Sequence, residues 1–238
     1  MATPSLLLLL ADGRFPAGAH AHSGGLEAAV AAGRVTDLAS LEEFLAGRLA
    51  TAGLVGAAFA AAAHRAAVPG TVGAGESAGT AMLATTLAQL DVELDARTAA
   101  PTLRTVSRRQ GRALLRAGRA IWPDAPFGDL PTTPGGAHQP LVLGLLCAAA
   151  GLSRLDTATV AAYGTVTGAA SAGVRLLGLD PYQVQALLVS LADACDGTAA
   201  DAARAADDPP ERLPAAAAPL ADIHAEIHAT WEVRLFAS

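Results

Sequence analysis

The sequence predicts an all-α fold, a single-domain bundle of roughly eight to ten helices joined mostly by short loops. Three observations carry this. Alanine and leucine dominate a chain that is 52% hydrophobic and only 4% aromatic, so most segments consist of good helix formers. Apolar residues recur at helical spacing in successive segments. No segment alternates apolar and polar residues between turns, as a half-buried strand would. The 238 residues suffice for one substantial core. With no fixed-period repeat and no clear linker, 1–238 reads as one domain, and 1–5 and 206–238 are its candidate mobile ends.

The elements follow in order. "SLLLLLAD" predicts a short buried helix, broken by Gly13 and Pro16. "SGGLEAAVAAG" predicts a second. Ser23 can cap it, Glu27 sits near the positive pole of its dipole, and Gly33 ends it. Leu38, Leu41, Phe44, Leu45 and Leu49 recur at helical spacing, and Gly53 and Gly56 merely interrupt a continuation to Ala67. "VPGTVGAG" is loop. A helix from Glu76 to about Leu94 carries Met82, Leu83, Leu87 and Leu90 on one side.

The most polar helix runs from Thr102 to Ile121. Arg108, Arg112 and Arg116 step by four and form a stripe, opposite Leu103, Val106, Leu114 and Ile121. The proline- and glycine-rich stretch to Pro140 is loop. Leu141–Gly151 is a buried helix. Asp156–Leu177 and Pro181–Arg204 are two more, with Pro181 suited to a first helical turn. "DDPPERLP" breaks the chain before a last helix from Pro219 to about Phe236.

Composition and motifs narrow the function. A net charge of −6 and a pI near 5.4 argue against nucleic acid. The chain has no lysine; its 16 cations are all arginine. "GAGESAGT" (Gly73–Thr80) therefore cannot work as a phosphate loop, which needs a lysine beside Ser or Thr. Cys147 and Cys195 lie far apart in apolar segments and read as buried thiols. The leucine run near the start lacks a basic leader, and the apolar run Leu49–Ala63 is short for a membrane span, so a cytoplasmic protein is expected.

No serine or cysteine stands in a nucleophile elbow, and no carboxylate pair stands out. His224 and His228 share a helix face at a spacing that suits a metal, but two ligands are too few, and they read as polar or interface histidines. The arginine helix is either a solvated face balanced by acids elsewhere or a docking face for an acidic partner.

Three stretches together resemble the urease accessory protein UreF family. "LLLLADGRFPAGAHAHSGGLEAAV" is similar to its amino-terminal signature, "SRRQGRALL" to its Ser-Arg-x-Gln-Gly segment, and "PLADIHAEIHATWEVRLFAS" to its carboxyl terminus. Their order and distances fit from end to end. The resemblance implies an all-helical homodimer with no enzymatic activity of its own. It binds UreD (also called UreH), recruits the GTPase UreG to apo-urease, and influences when UreG hydrolyses GTP. Nickel passes through the assembly in transit, with no cofactor stably bound. An absent lysine agrees, since the GTPase must then be a partner.

Residue by residue, the resemblance marks Phe15, Pro16, His22, Ser23, Gly25, Glu27, Arg108, Gln110, Arg112, His228, Arg234, Leu235 and Phe236 as partner-binding. No catalytic residue and no metal ligand is carried over. The chain departs from the family pattern at Ala19, His20 and Ala229. His20 and His22 are the candidates for a transient nickel contact. Two other readings are a helical metalloenzyme using His20, His22, His224 and His228, and a regulator of another GTPase acting through the arginine helix.

Overall fold

The computed structural model describes residues 4–16, 18–68 and 76–237. Among them there are eleven α-helical segments and no strand. They are α1 (Pro4–Ala11), α2 (Leu26–Ala31), α3 (Leu38–Arg48), α4 (Leu54–Ala67), α5 (Glu76–Arg97), α6 (Pro101–Ile121), α7 (Gln139–Ala149), α8 (Arg154–Leu177), α9 (Pro181–Ser190), α10 (Ala192–Ala205) and α11 (Pro219–Ala229). The fold class is all-α, as the sequence predicts.

Helix α4 is the centre, and α7, α8 and α10 pack around it. Its composition explains this position. Ala57, Ala58, Ala60, Ala61 and Ala63 are fully buried, and their small side chains let neighbouring backbones come close. The closest approach is at Gly144 of α7. A Cβ there would lie 2.4 Å from the carbonyl oxygen of Ala60 and 2.8 Å from the amide of His64. Only glycine fits that crossing.

Helix ends are set by local chemistry. Asp37 and Ser40 form a reciprocal capping box at the start of α3, and Ser153 and Asp156 form another at the start of α8. Gly178, at φ 64°, ends α8 in the left-handed conformation. Helices α3 and α4 join through a π turn at Leu49–Gly53, so Leu38–Ala67 is one continuous helix of 30 residues. By length and composition alone it could cross a membrane, but its second half is the core helix of this bundle.

Several expectations need correction. Helix α1 forms but is not buried: Leu8 and Leu9 are 68% and 48% exposed. A helix that is apolar all round and rests on α8 can hide only one side. Met82 points outward, because Leu83, Leu87, Leu90 and Leu94 already define the buried face of α5, and Met82 lies about 100° from Leu83. Ile121, the last residue of α6, is exposed. Pro181–Arg204 is two helices with a turn at buried Leu191, where no proline or glycine signals a break.

The last helix stops at Ala229, and residues 230–237 leave the helix because the amides of Leu235 and Phe236 bond elsewhere. Upstream, residues 206–214 are tied to the bundle by two arginines. Arg65 Nη1 donates to the Ala206 carbonyl at 2.9 Å, and Arg97 Nη2 donates to those of Glu211 and Leu213 at 3.0 and 3.2 Å. The stretch 69–75, which holds most of the expected loop and the start of "GAGESAGT", lies outside the described residues, as do 1–3 of the amino-terminal end.

Candidate functional site

The site is built where the two ends of the chain meet. Gly24 and Gly25, at φ 65° and 91°, make a turn that ordinary residues resist. The turn launches α2 with Glu27 in its first turn. Ser23 is fully buried and its Oγ accepts from the Glu27 amide at 3.2 Å. It thus serves the helix start from two residues before the cap, which is Gly25. This places a carboxylate in the interior, where it must find donors.

Glu27 finds three. His228 Nε2 donates to Oε2 at 2.9 Å, the Leu235 amide to Oε1 at 2.7 Å, and the Phe236 amide to Oε2 at 3.0 Å. Burial by itself would raise the Glu27 pKa. The Leu235 amide, the His228 ring and the Phe236 amide outweigh it and hold the carboxyl below its usual value. The tail is fastened further. The Ala237 amide donates to the Ala21 carbonyl at 2.7 Å. Arg175 stands 4.3 Å from the centre of the buried Phe236 ring, and its Nη2 donates to the His20 carbonyl at 3.3 Å. Trp231 leans on His228 with ring centroids 4.8 Å apart.

A second polar cluster lies on α5, α6 and the loop before α7. Arg108 Nη2 is 2.9 Å from Asp91 Oδ2 and 2.9 Å from Asp95 Oδ2, and Nη1 donates to Thr133 Oγ1 at 2.9 Å. The fully buried His138 sits between Asp95 Oδ1, 2.8 Å from Nε2, and Ser107 Oγ, 3.0 Å from Nδ1. The Asp95 carboxylate can only accept, so Nε2 carries the proton and Nδ1 accepts from Ser107. Burial, reinforced by the charge of Arg108, holds the His138 pKa low despite the Asp95 bond. The order Ser107–His138–Asp95 matches a nucleophilic triad. Yet Ser107 Oγ also accepts from the Gln139 amide at 3.3 Å, so the hydroxyl is used to hold the loop against α6.

Between the clusters runs a cavity of about 810 Å³, with Phe15, His22, Arg48, Gln110, His224 and His228 among its walls. The clusters also sense one another. Burial lowers the His22 pKa, and the nearby charge of Arg109 lowers it further.

The expected residues divide accordingly. Ser23, Gly25, Glu27, His228, Leu235 and Phe236 come together; Phe15 is buried and lines the cavity nearby. Pro16, Arg234 and the Leu235 side chain face outward. Arg108 corrects the reading of a uniform charged stripe: it is 9% exposed and its charge is spent on Asp91 and Asp95. Arg112 is exposed but donates to the Gly135 carbonyl, while Arg109 and Arg116 are open to solvent. His20 is exposed and His22 half-buried. Among the described residues no three His, Cys, Asp or Glu side chains gather as metal ligands do, and His228 is committed to Glu27, so the four-histidine enzyme loses its centre.

The sequence reading missed Asp91, Asp95, Ser107, His138, Arg48 and Arg175. The signal for the first four was available as an acid pair one turn apart on α5, facing an arginine on α6. Nothing local marks Arg48 or Arg175.

Comparison with known proteins bears on the whole chain. A model of the UreF family matches residues 35–192. A urease accessory protein UreF of Mycolicibacterium vanbaalenii is 41% identical over 238 residues, covering 100% of both chains. That of Mycobacterium sp. strain JLS is 44% identical over the same span, with 100% of each chain covered. One from Mycobacterium tuberculosis is 43% identical over 202 residues, 85% of this chain and 86% of its own. Both polar clusters fall within the two full-length matches. On this evidence of sequence, and with an all-helical fold to match, the chain belongs to the UreF family of urease accessory proteins.

Proposed function

We propose that this protein is a non-enzymatic scaffold of urease maturation in the cytoplasm, working as a homodimer. With UreD (UreH) it recruits the GTPase UreG to apo-urease, promotes nickel insertion and modulates GTP hydrolysis. Nickel is cargo in transit.

One observation supports this most. Glu27 fastens the carboxyl-terminal tail to the amino-terminal turn, so two distant motifs form a single surface. The same segments leave Ile223, Ile227, Val233 and Leu235 half or more exposed, which suits a protein partner better than water. In this reading Phe15, Ser23, Gly25, Glu27, His228 and Phe236 build the surface. Pro16, Arg234 and Leu235 touch the partner, and Gln110 and Arg112 flank it. Arg108 contributes by holding α5 to α6.

The test is urease activation in cells with and without this chain, with retention of UreD and UreG on the tagged protein. Expected are loss of activation without the chain and retention of both partners. Normal activation in its absence, or retention of neither partner, would overturn the proposal.

A further inference from the structure

Arg48 ends α3 and lines the wall of the large cavity. Its situation differs from that of the other enclosed arginines. Arg108 is paired with Asp91 and Asp95, and Arg97 with Glu93. Arg48 has no carboxylate within ion-pair distance among the described residues. Its one hydrogen bond there runs from Nη1 to the carbonyl of Gly24. Its Nε is buried and meets no acceptor. The Phe44 ring, 6.0 Å from Cζ, offers only a weak cation–π contact. Burial pushes the pKa down to about 10, so the group remains charged at neutral pH. A cation withdrawn from water without a counter-charge is costly, and an orphaned buried donor asks for a ligand.

We propose that the cavity binds a small organic carboxylate, seated on the guanidinium of Arg48. The planar fork of arginine matches a carboxylate through two parallel hydrogen bonds. Leu10, Phe15, Val35, Phe44 and Val55 line the same cavity and provide an apolar wall for a hydrocarbon body. A volume of about 810 Å³ is that of a site for a compact organic molecule rather than for a bare ion. Glu43 also lines the cavity, one and a half turns back along α3. It is too far to neutralise Arg48 but close enough to repel an anionic ligand.

The arrangement places the ligand next to the turn that carries Glu27. A Cβ on Gly24 would lie 2.9 Å from Arg48 Cζ, so the glycine is what admits the guanidinium.

The experiment is calorimetric titration of the purified full chain with benzoate and, separately, with inorganic phosphate, at an ionic strength fixed by sodium chloride. Expected is saturable benzoate binding, stronger than that of phosphate. Arg48→Met should weaken it by about tenfold or more, and Arg48→Lys by a smaller factor, as loss of a charge-assisted contact requires. Glu43→Gln should bind as tightly as the wild type or more so. Absence of saturable benzoate binding, unchanged affinity in the Arg48 variants, or tighter binding of phosphate would each overturn the proposal. Should Arg48→Met not fold, the wild-type titration and Arg48→Lys decide. No urease component enters the assay, so its failure leaves the maturation role untouched.

Discussion

Two buried carboxylates organise this molecule over very different lengths of chain. Asp91 gathers Arg108 and the His138 amide, 17 and 47 residues away. Glu27 gathers His228 and Phe236, 201 and 209 residues away. The Asp91 cluster sits on helices that pack on one another and on the core. The Glu27 cluster holds a non-helical tail whose side chains largely face water, with Val233 88% and Leu235 60% exposed. The difference teaches that equal burial does not mean equal structural weight. Losing the first cluster uncouples α5, α6 and the loop before α7. Losing the second frees a terminal segment while the bundle persists, because local opening costs only what that segment contributes.

The largest expected effect tests the first half of that contrast. Arg108→Ala leaves Asp91 buried without its cation and should cost about 3–5 kcal/mol of global stability, read from the urea midpoint. A change below about 1 kcal/mol would mean the cluster is not what binds α5 to α6. Gly144→Ala, placed in the core as a reference for both clusters, should cost about 1–3 kcal/mol or more by forcing α7 away from α4. Unaltered stability there would refute the tight crossing at Ala60.

Glu27→Gln tests the second half. It replaces a charged acceptor of three bonds by a neutral group that cannot serve all three donors. Amide exchange at Leu235 and Phe236 should accelerate strongly, while the urea midpoint moves much less than in Arg108→Ala. Equal midpoint shifts in the two variants would abolish the distinction.

Acid should act in the same direction as Glu27→Gln. The folded-state pKa of Glu27 is depressed, so its contribution is complete above the ordinary carboxylate range and is lost as pH falls through the folded value. The Leu235 amide resonance should therefore stay constant near neutrality and move only below that range. A transition near pH 6 to 7 would point to another group. The smallest effect is expected at Arg116→Glu. This exposed side chain belongs to neither cluster, and stability should change by no more than about 0.5 kcal/mol, while retention of UreG, if the arginine face meets it, should fall.

The helices were largely legible because their information is local. Capping residues, leucine spacing and proline positions lie within one turn of what they determine, and α5, α6, α7 and α8 fall close to where those signals put them. The continuation of α3 into α4 was also readable, since two glycines weaken a helix without ending it. The break at Leu191 was not, because nothing in its neighbours disfavours helix.

The site was legible only in part. Family resemblance named Glu27, His228 and Phe236 but not that they touch one another, since contacts across 200 residues leave no spacing in the sequence. Arg108 was misread for a related reason. Helical periodicity shows that three arginines share a face, but it cannot show that α5 lies against the first of them. His138 gave no sign of its role, because a histidine in a proline-rich loop looks exposed until the loop is seen folded onto α6.

The π turn at Leu49–Gly53 bears on how such a chain can change over generations. One surplus residue there sets the azimuth of α4 against α3. Deleting a single residue between 49 and 53 would let the ordinary α ladder close and would swing everything downstream by about 100°. Gly144 would then confront a different ridge of alanines. Loss of one codon in this stretch should therefore be far less tolerable than loss of one in the connection between α10 and α11.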